Sequence, residues 1–88
     1  MLKLDLTHEA KRFLDGLPPK QFRQVVNKVI SLMENPLPQD SRSLSGAPFR
    51  RADIGEFRII YRVEAECLKV ALIGKRNDDE VYRRINKG

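Results

Sequence analysis

The residues that invite a chemical reading lie in the C-terminal half of this 88-residue sequence. Arg50 and Arg51 precede a turn signal at Ile54-Gly55-Glu56, Arg58 and Arg62 follow it, and Lys75-Arg76 closes the next apolar run. Tyr82 stands six positions beyond Arg76. Arg58 falls between Phe57 and Ile59, so strand alternation sends it to the face opposite Phe57, Ile59 and Tyr61. Tight turns between consecutive strands bring Arg51, Arg58 and Arg76 onto one surface. Guanidinium groups held together repel one another, and such a cluster suits an anionic ligand. The same spacing also fits solvated strand residues paired with Asp53, Glu56 or Glu80. Tyr82 fits two roles as well: packing with Val81 and Ile85 on a short terminal helix, or turning its hydroxyl into the basic cluster.

Composition permits the anionic reading and narrows the rest. Seventeen basic residues against twelve acidic give a net charge of +5, a balance compatible with RNA or DNA. One cysteine, Cys67, excludes an internal disulfide framework. It sits in an apolar run and reads as a structural thiol, with the cytoplasm as the default location. The single histidine, His8, directly follows a helix-cap signal. Without a second His or clustered Cys, no metal site is expected, nor a Ser-His-Asp or Cys-His centre. No cofactor is called for. No apolar run is long enough for a membrane helix, and residues 1–6 lack a signal-peptide apolar region.

The elements that must position these residues follow from periodicity. Leu2, Leu4 and Leu6 alternate with Lys3 and Asp5, as in a half-buried strand. Thr7 predicts the N-cap of a helix from about His8 to Gly16, with Ala10, Phe13, Leu14 and Leu17 on its apolar face. Gly16-Leu17-Pro18-Pro19 breaks that helix, and the prolines suit the first turn of the next. Phe22, Val25, Val26, Val29, Ile30 and Met33 predict a core-facing stripe, and Asn35-Pro36 an end. Residues 36–48 read as a loop. Phe49 to Asp53, Phe57 to Val63 and Cys67 to Ile73 read as three strands of an antiparallel meander, the last with apolar residues on both faces. Asp78 to Ile85 reads as a short C-terminal helix. The expected class is α+β, one domain over 1–88, with an N-terminal strand and a two-helix hairpin packed on an antiparallel sheet.

Three stretches carry a family resemblance: Leu44-Ser45-Gly46-Ala47-Pro48 followed by Arg50-Arg51, then Gly55-Glu56-Phe57-Arg58-Ile59-Ile60-Tyr61-Arg62-Val63, then Gly74-Lys75-Arg76 through Val81-Tyr82. Together they resemble the RelE/ParE toxin superfamily, and the last resembles the RelE branch. The resemblance implies a RelE-like (microbial-RNase-like) fold with RNA lying across its basic sheet face. It implies a type II toxin that cleaves mRNA in the ribosomal A site, and an oligomeric complex with a cognate RelB-like antitoxin. Carried onto this sequence, Arg58 would hold the scissile phosphate. Arg76 would stabilise charge and help protonate the leaving 5′ oxygen, Tyr82 would take the 2′-hydroxyl proton, and Arg51, or Arg50 in another register, would supply a strand cation. Arg50, Arg62 and Lys75 would contact RNA. A ParE-like inhibitor of DNA gyrase is the alternative on the same fold, and a remnant serving only as antitoxin partner is a third reading.

One departure stands out. Many RelE toxins carry two basic residues at alternate positions of that strand, whereas Arg51 is followed two positions later by Asp53. The implied chemistry otherwise suits the residue types. Attack by the 2′ hydroxyl needs in-line geometry, removal of one proton, donation of another and stabilisation of added charge. A free phenol is a poor base at neutral pH, but adjacent cations favour phenolate.

Overall fold

A computed structural model describes residues 1–44 and 48–76. Seven elements run in the order β1 (Lys3–Leu6), α1 (His8–Asp15), α2 (Pro19–Glu34), β2 (Ser41–Ser43), β3 (Arg50–Ile54), β4 (Phe57–Glu64) and β5 (Cys67–Lys75). The strands form one sheet in the order β1-β5-β4-β3-β2. The meander from β2 to β5 is antiparallel, as its short turns require. β1 is the exception: it lies parallel to β5, with Lys3 opposite Cys67 and Leu6 opposite Val70. The long excursion through both helices permits that orientation. The expected terminal helix, with Tyr82, and Ser45, Gly46 and Ala47 of the loop motif lie outside the described residues.

The helix boundaries follow from capping chemistry. The Thr7 hydroxyl accepts from the Ala10 amide at 3.1 Å and starts α1. It also donates to the Ala71 carbonyl at 2.6 Å. Pro18 caps α2 and Pro19 opens it, where the missing N–H costs nothing. Beyond Glu34, the Asn35 side chain accepts from the Leu37 amide at 3.2 Å, and Pro36 prevents continuation.

Both helices cover one sheet face. Ala10, Leu14, Val25, Val29 and Leu32 meet Ala52, Phe57, Ile59, Tyr61, Leu68, Val70 and Ile73 in the main core. Phe13 and Phe57 pack edge to face, their ring centres 6.0 Å apart. Tyr61 is 0% exposed, and its hydroxyl donates to the Pro36 carbonyl at 2.6 Å. The buried stripe of α2 is Val25–Val29–Leu32. Phe22 and Ile30, expected in the core, remain 38% and 41% exposed. Val26 and Met33 of the adjacent row pack against the core while partly buried, and Phe22 and Ile30 face outward.

The pairing of β4 with β5 slips once. Ile60 faces Leu72 while Tyr61 faces Val70, so Ala71 has no register partner on β4. This extra residue changes the alternation of β5: Val70 and Ile73 both enter the main core, and Leu72 turns to the opposite face. The Thr7 hydroxyl holds the Ala71 carbonyl at the slip.

Candidate functional site

The face of the sheet away from the helices carries Arg42, Arg51, Arg58 and Arg62. Ala52 and Ile54 belong to the helix-side core, so alternation places Arg51 and Asp53 on the opposite side. Likewise Phe57, Ile59 and Tyr61 point to the helices, leaving Arg58, Ile60 and Arg62 on the outer face. Register then fixes the neighbours: Arg51 lies opposite Ile60, and Asp53 opposite Arg58. On its other side Arg58 faces Gly74, which adds no side chain to crowd the guanidinium.

Arg58 and Asp53 form a two-pronged ion pair. Arg58 Nε donates to Oδ1 at 2.7 Å, and Nη2 donates to Oδ2 at 3.2 Å. The Arg58 side chain is 12% exposed and that of Asp53 34%. The hydrogen bond from Arg58 holds the Asp53 carboxyl below its ordinary range, against the opposing effect of burial. The charges of Arg58, Arg51 and Arg76 act in the same direction. One carboxylate thus lies within electrostatic reach of all three arginines expected to cluster.

Arg76 is set by the β3–β4 turn. Its amide donates to the Glu56 carbonyl at 2.8 Å, and Nη1 donates to the Gly55 carbonyl at 3.3 Å. Gly55 has φ +58°, the left-handed conformation that this tight turn requires. The turn that reverses the chain between Asp53 and Arg58 therefore also anchors Arg76 beside them.

Other expected residues stand elsewhere. Arg50 shares the helix-side face with Ala52 and donates to Ser43 Oγ at 2.9 Å and Ser41 Oγ at 2.8 Å. The choice between Arg50 and Arg51 is therefore made by alternation: Arg51 joins Arg58. Lys75 lies opposite Phe57 in register, which puts it on the helix side at the end of the sheet. Arg62 is on the outer face but separate from the cluster, with its guanidinium carbon 5.7 Å from the Phe49 ring centre. Glu64 binds both Arg62, at 2.9 Å, and Lys69, at 3.1 Å. The Lys69 hydrogen bond, aided by the charges of Arg62 and Lys69, lowers the Glu64 pKa.

Sequence reasoning missed Arg42. The segment around it read as loop, yet Ser41–Ser43 adds an edge strand and places Arg42 opposite Arg51. Three residues are too few for periodicity to register. Arg42 extends the cationic row outward from Arg51. Among the described residues no group of three His, Cys, Asp or Glu side chains could hold a metal ion.

An outer sheet face gathering Arg42, Arg51, Arg58 and Arg76 is equipped to bind a polyanion, with Arg58 and Asp53 at its centre. Over residues 4–80 the sequence matches the ParE toxin of type II toxin-antitoxin systems. This chain belongs to the ParE toxin family. The toxin has the fold of RelE toxins. It is similar to the isolated Escherichia coli RelE toxin, with 20% identity and a TM-score of 0.77 over 99% of this chain and 97% of that one. It is also similar to a chain of the RelBE2 toxin-antitoxin complex from Mycobacterium tuberculosis, at 26% identity and TM-score 0.73, covering 85% and 98% of the two chains. A chain of the chromosomal ParDE system of P. aeruginosa matches at 19% identity and TM-score 0.71, covering 85% and 96%. No curated protein matches the sequence significantly.

Proposed function

We propose that this toxin is a ribosome-dependent mRNA endonuclease. The observation that carries the reading is the convergence of Arg51, Arg58 and Arg76 around the Asp53 carboxylate on the outer sheet face. In the reaction, the 2′ oxygen attacks the adjacent phosphorus and the bond to the 5′ oxygen breaks. The products are a 2′,3′-cyclic phosphate and a 5′ hydroxyl. Arg58 holds the phosphate, Arg51 supports it, and Arg76 stabilises the charge that builds on its oxygens. Tyr82 is assigned the 2′-hydroxyl proton, and the 5′ oxygen takes up a proton with help from Arg76. The ribosome contributes the in-line positioning of the mRNA that a small open sheet lacks. Arg62, beside Phe49, and Lys75 and Arg50 at the margins are assigned to peripheral RNA contacts.

The partner assigned to the toxin is a cognate RelB-like antitoxin. An apolar groove of about 230 Å³ between β1 and the helix pair, lined by Leu4, Phe22, Val26 and Ile30, supplies a surface for it. The cytoplasm is the compartment in which ribosome and antitoxin are both met.

A second reading, a gyrase-binding toxin that cuts nothing, is favoured by the match to the ParE toxin model and by Asp53, which stands among the arginines and pairs with Arg58. Primer extension on mRNA translated in a cell extract, beside a gyrase supercoiling assay, separates the two. New 5′ ends inside codons, with supercoiling unchanged, support the nuclease. Intact mRNA with blocked supercoiling overturns it.

A further inference from the structure

The Asp53–Arg58 pair is built like the complex it would have to give way to. A guanidinium binds a carboxylate and a phosphate through the same two-pronged geometry. Asp53 takes the Nε–Nη2 edge of Arg58 at 2.7 and 3.2 Å, an edge that a phosphodiester would also engage. The pair is held by cross-strand register, not by flexible chain, since the two residues lie directly opposite on β3 and β4. Arg58 is largely covered, so its guanidinium has little freedom to swing away.

We propose that Asp53 is a positioning residue that acts as an internal counter-anion. It fixes Arg58 on the sheet face and sets the affinity of the free toxin for RNA low. The inference rests on the reading of this face as a phosphate-binding surface. Three arginines around one point repel one another; the carboxylate offsets that repulsion and presents Arg58 in a fixed orientation. An incoming phosphate meets both the cations and a competing anion. Tight binding then requires further contacts, such as those a ribosome-bound mRNA brings, and free RNA alone is held weakly.

The test is the affinity of purified toxin for a labelled single-stranded RNA hexamer with every 2′ oxygen methylated, which cannot be cut by 2′-hydroxyl attack. Asp53→Asn keeps the shape and removes the charge. It is expected to bind about tenfold more tightly at 0.1 M salt, equivalent to about 1.4 kcal/mol. The slope of log K against log salt steepens by about 0.7, the contribution of one more neutralised phosphate on a single strand. Asp53→Glu, which restores the carboxylate, returns affinity to within threefold of wild type. In an Arg58→Ala background the Asp53→Asn gain falls below twofold, because the carboxylate acts through Arg58. Glu34→Gln, at the end of α2, changes net charge equally and leaves affinity within twofold. Asp53→Ser serves the same comparison if the Asn variant does not fold. The proposal is overturned if removing the Asp53 charge leaves affinity unchanged or lowers it, or if the gain persists without Arg58. Because this readout involves no cleavage, it stands apart from the nuclease reading: intact mRNA on ribosomes would sink that reading and leave the affinity result in place.

Discussion

Thr7 joins the N-terminus of α1 to the slip in β5, and replacing it should cost more than an ordinary helix cap. Its hydroxyl accepts from the Ala10 amide at 3.1 Å and donates to the Ala71 carbonyl at 2.6 Å. Thr7→Ala removes both bonds at once. The loss of a cap is about 1 kcal/mol, and the lost hydrogen bond to a carbonyl that has no register partner on β4 adds about 1 kcal/mol. The expected total is about 2 kcal/mol, or a melting temperature lower by about 8–16 °C for a domain of this size. Thr7→Ser keeps the hydroxyl and should retain most of the stability. Urea unfolding followed by circular dichroism reads the difference, with an unchanged denaturant slope marking a shift in stability alone. A loss below about 0.5 kcal/mol in Thr7→Ala, or an equal loss in Thr7→Ser, would refute the linkage. The consequence reaches the site, because the extra residue at Ala71 sets the phase in which Gly74, Lys75 and Arg76 leave the sheet.

Other outcomes follow from the same contacts. Tyr61→Phe removes the bond to the Pro36 carbonyl from a fully buried position, so urea unfolding should show a loss of about 1–2 kcal/mol. Asp53 has a folded-state pKa below its ordinary value of 3.8. Its contribution is therefore present above the unfolded value and is lost as pH falls through the lower folded value. Acid unfolding should show wild type losing its stability advantage over Asp53→Asn below about pH 4, and a constant difference down to pH 2 would contradict this.

Much of the fold was legible because its boundaries are written in local chemistry. Thr7, Pro18-Pro19 and Asn35-Pro36 mark helix ends without tertiary help. Gly55 marks the turn that reverses β3 into β4. The meander emerged from alternation around Arg58, and so did the grouping of Arg51, Arg58 and Arg76. What escaped depends on contacts between distant segments. The parallel seat of β1 beside β5 is a pairing across most of the chain. The α2 stripe contained two adjacent apolar rows, and only the sheet decides that Leu32 is buried while Phe22 and Ile30 stay exposed. The slip at Ala71 has no Gly or Pro to announce it. Arg42 lies on a strand too short to show a period. Asp53 was visible as a departure from the resemblance, but its two-pronged bond to Arg58 needed the register of β3 against β4.

End-group analysis of mRNA exposed to the toxin reads whether this basic sheet face cuts on the ribosome, as proposed above. Purified toxin is added to mRNA held in ribosomal initiation complexes with an open A site, and to the same mRNA alone. 2′,3′-Cyclic phosphate ends are expected within the A-site codon only when ribosomes are present. Arg58→Ala should lower the rate by at least about 100-fold, the scale of one lost charge-stabilising donor. Intact mRNA in the ribosomal complex with folded wild-type toxin, or cleavage undiminished in Arg58→Ala, would contradict the proposal.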